Sequence, residues 1–133
     1  MRVRHTLALD IGGRRTGVAY VDTRTGVPVP LAPVHHRTID ELSAHILPLL
    51  HDRAIADLVI GLPLLPSGAE GAQAKTVRET VRCLQLPRSI AVHFLDERYT
   101  TPRHDSRDPD GAAACSLLQA YMDLQRFGKR TIE

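Results

Sequence analysis

Residues 6–21 read TLALDIGGRRTGVAYV, and the alternation inside that stretch decides the fold. Leu7, Leu9 and Ile11 fall on one side of a period-2 pattern, with Ala8 and Asp10 on the other, which predicts a strand over 6–11. Gly12-Gly13 then marks a turn, and Gly17-Val18-Ala19-Tyr20-Val21 restarts the chain as the second arm of a hairpin. Asp10 therefore lies within a strand, on the face opposite Leu7, Leu9 and Ile11.

Outward from the hairpin, the pattern switches between periods of 2 and 3.6. Residues 27–34, broken by Pro28, Pro30 and Pro33, can form at most a short edge strand. Thr38 followed by Glu41 has capping-box spacing, and Leu42, Ile46, Leu49 and Leu50 then predict a helix over 39–52, which Pro48 should kink or shorten. Residues 57–62 (DLVIGL) are a continuous apolar run, expected of a central strand buried on both faces. After Pro63 and the Pro66-Ser67-Gly68 turn, Val77, Val81 and Leu84 mark a second helix ending before Pro87. Residues 89–95 (SIAVHFL) form another strand running into Asp96-Glu97-Arg98. The last helix is bounded by Asp108 at its cap, Pro109 at its first position and Gly128 past its end, with a stripe of Ala113, Leu117, Tyr121 and Leu124. Hairpin, edge strand, helix, strand, helix, strand and helix make an α/β protein with a mixed five-stranded sheet flanked by helices.

The chain has 133 residues, the size of one domain spanning 1–133. At that length roughly 65 to 70% of the unfolded surface is buried, enough for a core without disulfides or a structural metal. The formal charge is +2, too small to imply a polyanion partner by steering alone. Fifteen of the seventeen cations are Arg, whose planar fork grips phosphate, although an Arg-rich chain also reflects a GC-rich genome. Cys83 and Cys115 have no metal-ligand spacing and form no disulfide framework, so partly buried thiols are expected. Asp10 interrupts the N-terminal apolar stretch too early for a signal peptide, and no run approaches the ~18 apolar residues of a membrane span. A cytoplasmic protein without membrane contact is expected.

Three carboxylates stand where surface decoration explains them poorly. Asp10 is inside the first strand; Asp96 and Glu97 sit at the carboxyl end of the last, where open α/β sheets bind ligands. Asp110 precedes Ala113 by three and Leu117 by seven, and so starts the buried stripe of its helix. Clustered carboxylates repel one another unless a cation compensates. Mg²⁺ is the natural cation, with hard oxygen ligands and open positions for water and phosphate. Two such ions about 4 Å apart can hold the attacking water and leaving oxygen of a phosphodiester in line. The cluster beside Arg-rich loops suggests phosphodiester hydrolysis.

Four segments carry a family likeness: Leu9-Asp10-Ile11-Gly12-Gly13-Arg14-Arg15-Thr16-Gly17-Val18-Ala19; Val59-Ile60-Gly61-Leu62-Pro63-Leu64 with Gly68-Ala69-Glu70; Leu95-Asp96-Glu97-Arg98-Tyr99-Thr100-Thr101; and Asp110 leading to Ala112-Ala113, Leu118-Gln119 and Tyr121. In this order they resemble the YqgF/RuvX family of pre-16S ribosomal RNA nucleases or Holliday junction resolvases, with an RNase H-like fold. The resemblance implies that Asp10, Glu97 and Asp110 are catalytic and hold Mg²⁺ or Mn²⁺, with Asp96 a fourth candidate ligand. Arg14, Arg15 and Arg98 are the candidate nucleic-acid contacts, although Arg98 could instead pair with a carboxylate of the cluster. Gly12, Gly17, Pro63 and Gly68 are expected to shape the loops around the site. Gly13 stands where the family usually has Thr. The stretch from Pro102 to Pro109 is short, where the family carries a longer segment with a small helix of its own.

The implied function is metal-dependent cleavage in 5′-end processing of precursor 16S ribosomal RNA, in ribosome biogenesis. Alternatives are a junction resolvase or other DNA nuclease of recombination and repair, and a non-catalytic ribosome-assembly factor that binds nucleic acid. The implied partners are precursor ribosomal RNA or branched or single-stranded DNA, and the ribosomal subunit, for a monomer or homodimer. Actin-like kinases share a DxGxxxxG start but need a second domain, for which 133 residues leave no room. Among lesser features, His35-His36 is expected to be a solvated loop pair, and His104 is a candidate proton shuttle. Arg126, Lys129 and Arg130 are expected to complement the last helix's C-terminus.

Overall fold

The computed structural model describes residues 4–97, 109–128 and 132. Arg98, His104, Asp108, Lys129 and Arg130, which carry sequence expectations, lie outside the described residues. Five strands, β1 (His5–Ile11), β2 (Arg15–Asp22), β3 (Val29–His35), β4 (Ile55–Leu62) and β5 (Ala91–Asp96), form one sheet in the order β3-β2-β1-β4-β5. β1–β2 and β2–β3 pair antiparallel, while β1–β4 and β4–β5 pair parallel. Three helices complete the fold: α1 (Ile39–Asp52), α2 (Ala72–Cys83) and α3 (Pro109–Arg126).

Alternation along the strands divides the core into two layers. Leu7, Leu9, Leu58 and Ile60 pack with Leu42 and Ile46 of α1 and Val77 of α2. On the other face Ala8, Ala19, Val21 and Val59 pack with Ala114, Leu117, Leu118 and Tyr121 of α3. The second layer is built from smaller side chains on the sheet, so α3 lies close to it.

Several sequence expectations shift. Pro48 does not shorten α1, which keeps its fourteen residues. Pro48 and Ala44 are both exposed, so the carbonyl of Ala44 that loses its partner is on the solvent side. Thr38 caps the helix as the spacing predicts, its Oγ1 accepting from the Glu41 N–H at 3.1 Å, and Glu41 Oε2 accepts from the Arg37 N–H at 2.8 Å. β3 is a full seven-residue edge strand despite Pro30 and Pro33. β5 begins at Ala91, two residues later than expected, because Ile90 closes a turn onto the Pro87 carbonyl. The buried stripe of α3 is Gly111, Ala114, Leu117, Leu118 and Tyr121; Ala113 and Leu124 are only half-buried. Cys115 is half-buried as expected, but Cys83 is exposed.

Candidate active site

The carboxyl ends of β1, β4 and β5 meet the start of α3, and two glycines explain how. Gly17 is the β2 partner of Asp10, and Gly61 of β4 follows the residue paired with Leu9, one step short of Asp10 in the same register. The row across the sheet therefore reads Gly17, Asp10, Gly61 and Leu95. A Cβ on Gly17 would run into the main-chain carbonyl of Asp110. A Cβ on Gly61 would lie 2.6 Å from Glu97 Oε1 and 3.0 Å from Leu117 Cδ1. Neither neighbour of Asp10 has a side chain, so Asp110 settles over one and Glu97 over the other.

Asp10 and Glu97 are half-buried and hydrogen-bonded to each other. Burial raises the Glu97 carboxyl to about 7, and the negative charge and hydrogen bond of Asp10 and the charge of Asp96 add to the effect. Burial also raises Asp10; its bond to Glu97 works against that rise and the charge of Asp110 works with it. The directions place the shared proton on Glu97, donated to Asp10. Asp110 is held differently, its Oδ2 accepting from Arg15 Nε at 2.6 Å. Asp96 ends β5 opposite Leu62 and is 5% exposed. Among the described residues no three carboxylate, histidine or thiol groups are gathered closely enough to grip a metal ion unaided.

The remaining site candidates are dispersed. Arg14 is exposed at the hairpin tip, and among the described residues Arg15 pairs with Asp110 of the cluster. Gly12 is confined because a Cβ there would meet the Arg15 carbonyl. Gly68 turns the chain after β4 with φ +91°, its N–H donating to the Leu65 carbonyl at 2.8 Å. Pro63 lines a cleft of about 570 Å³ that ends on Asp10 and Glu97.

His36 corrects its expectation. It is buried, its Nε2 lies 2.8 Å from Thr16 Oγ1 and its main-chain N–H donates to the Arg14 carbonyl at 2.9 Å. Burial lowers its pKa, the charge of Glu41 opposing and those of His35 and His45 assisting. His35 alone is exposed. Gly61 is a site residue for which the sequence suggested no role. Its signal was a glycine inside an otherwise apolar central strand, which marks a close approach.

The family model described as "Holliday junction resolvase", RuvX, matches residues 4–124. A Chloroflexus aurantiacus protein named "Putative pre-16S rRNA nuclease" is 32% identical, covering 90% of this chain and 87% of its own. A Roseiflexus protein of the same name is 34% identical, covering 90% and 94%. Among solved structures, Thermus thermophilus RuvC with a Holliday junction substrate aligns at TM-score 0.69 and 12% identity, over 96% of this chain and 98% of its own. Fowlpox virus resolvase with junction DNA aligns at 0.58 and 9%, over 91% and 98%. Those two likenesses establish an RNase H-like, RuvC-type fold. No described helix is long and apolar enough to cross a membrane. The match over residues 4–124 carries the assignment: the chain belongs to the RuvX family of nucleases, hydrolases of phosphodiester bonds.

Proposed function

We propose that this chain is a metal-dependent nuclease that trims the 5′ end of precursor 16S ribosomal RNA, with Asp10, Glu97 and Asp110 as its acidic centre. The observation that carries the reading is the hydrogen-bonded pair of half-buried carboxyls, Asp10 and Glu97, beside a third carboxylate, Asp110. The donor set is hard oxygen throughout and fits Mg²⁺ or Mn²⁺, with Asp96 at its margin. Such an ion supplies positive charge at the scissile phosphate and eases deprotonation of the attacking water.

The chain's own residues set the conditions for that chemistry. Glu97 must release its proton to act as an anionic ligand, so competence rises as pH climbs through about 7. Arg15 holds Asp110 through its Nε until Asp110 exchanges that partner for the centre. Arg14, exposed on the same hairpin, is placed to contact the phosphate backbone. The relatives' name favours ribosomal RNA and, with it, a cytoplasmic site of action at the ribosomal subunit. The family model's description favours a second reading, junction resolution, in which two copies would be arranged symmetrically to cut paired strands.

The deciding experiment is cleavage of a precursor 16S fragment, a single-stranded DNA and a four-way junction, each with Mg²⁺, Mn²⁺ or EDTA. Asp10→Asn is expected to lower cleavage by at least about 10³-fold while leaving the thermal unfolding curve in place. Cleavage that survives both EDTA and Asp10→Asn would remove the acidic centre from the reaction. Preference for the junction over the RNA would select the resolvase reading.

A further inference from the structure

The cleft that ends on Asp10 and Glu97 extends away from α3, between the approach to α1 and the flank of α2. We infer that it seats one unpaired nucleotide of the strand being cut, with the Gln73 amide reading the edge of its base. The inference rests on the nuclease reading above.

Position, size and lining point to the same occupant. Two of the candidate catalytic acids form part of the cleft wall, so whatever fills it is continuous with the reacting phosphate. A volume of about 570 Å³ falls in the range of sites for single small molecules, ~300–1,000 Å³, and gives one base and its sugar room. Ile11, Ile39, Pro63 and Val77 supply apolar surface for the faces of a base. Gln73 supplies an amide with a donor and an acceptor side by side, the pattern that reads a base edge, and it has no hydrogen-bond partner among the described residues. Thr76 and Thr80 donate their hydroxyl protons back to the carbonyls of Ala72 and Thr76, at 3.0 and 2.9 Å, and so face the cleft as acceptors. Arg37 contributes the cation a sugar-phosphate needs.

The cleft is also preformed. His36 locks its floor through the Thr16 hydroxyl and the Arg14 carbonyl, and Thr38 locks its α1 side through the cap on Glu41. A nucleotide would enter without reorganising the sheet.

The test uses a fluorescein-labelled single-stranded RNA spanning the cleavage site, with one base at a time removed to leave an abasic sugar. Binding is read by anisotropy in EDTA and again with Ca²⁺, and cleavage with Mg²⁺. Removal of the base beside the cut bond is expected to weaken binding about tenfold, with little effect elsewhere. Thr76→Met, which fills the cleft from an exposed helical position, should weaken binding of the intact strand similarly and abolish the abasic penalty. Gln73→Ala should flatten the preference among the four bases at that one position. A flat abasic profile, an unchanged penalty in a folded Thr76→Met protein, or no binding by the folded wild type would overturn the inference. A position-specific profile without cleavage sinks the nuclease reading and leaves the cleft standing; cleavage with a flat profile does the reverse.

Discussion

Carboxylates are withdrawn from water at both ends of this sheet, and the two ends hold them differently. At the amino end, Asp57 is 2% exposed, and Arg4 grips it with Nε to Oδ2 and Nη2 to Oδ1, both at 2.6 Å. His93 Nε2 donates to the same Oδ1 at 2.9 Å. Burial pushes the Asp57 pKa up, and the bonds from His93 and Arg4 together outweigh it and hold the carboxyl below its ordinary value. At the carboxyl end Asp10 and Glu97 have each other, and both are raised. The same fold holds one buried carboxylate with cations and sets two others side by side against each other. Carboxyls raised together in this way mark that end as the candidate functional site.

The crowded end breaks most easily where it has no room. Gly17→Ala places a methyl group against the main chain of Asp110, and a helix start cannot swing aside as a side-chain tip would. The expected cost is about 3 kcal/mol of stability, with Asp110 lifted off the centre and cleavage lost. Urea unfolding alongside a cleavage assay checks both. Wild-type stability and activity in the Gly17→Ala protein would mean that α3 does not sit on Gly17.

Breaking the satisfied end should separate stability from chemistry. Asp57→Ala removes the common partner of Arg4 and His93, and Arg4, half exposed, can turn its charge to water. A loss of about 2 kcal/mol is therefore expected, below the cost of stranding a fully buried cation. The Asp57 contribution is present above the carboxyl's ordinary pKa and is lost as pH falls through its depressed folded value, so wild type and variant should converge in acid. Cleavage at a temperature where both are folded should be unchanged. A drop in cleavage comparable with that of Asp10→Asn would show that the two ends are coupled.

What the sequence made legible follows from the same contrast. The hairpin, the capped α1 and the limits of α3 were readable because turn glycines, caps and periodicity act within a few residues. The rotation of α3 was not: apolarity favoured Ala113 and Leu124, but Ala114 is the residue buried in the layer with the small Ala8 and Ala19. The acidic centre was legible as residue types at strand ends, while its assembly depends on Gly17 and Gly61 flanking Asp10 across three strands, a relation only register reveals. His36 looked like half of a solvated pair because its partner Thr16 is twenty positions away. Asp57 was hidden inside an apolar run because Arg4, its cation, is fifty-three positions distant.

Glu97→Gln sharpens the comparison by removing charge without removing shape. Glu97 has an ordinary pKa of 4.5 and is raised to about 7 in the folded chain. The folded protein thus binds more protons than the unfolded one between those values, and stability from this group is full below about 4.5 and lost as pH rises through about 7. Glutamine keeps a donor for Asp10 at every pH, so the variant should be more stable than wild type by about 1 kcal/mol at about pH 8, a figure reduced for the half-exposed position of the carboxyl. Near pH 4.5 the two should match, since wild type then carries its proton. Denaturant unfolding in EDTA across that range measures the difference directly. A gap that stays constant with pH would mean that the proton between Asp10 and Glu97 is not what relieves the crowding, and that the two ends of the sheet do not differ in the way their geometry indicates.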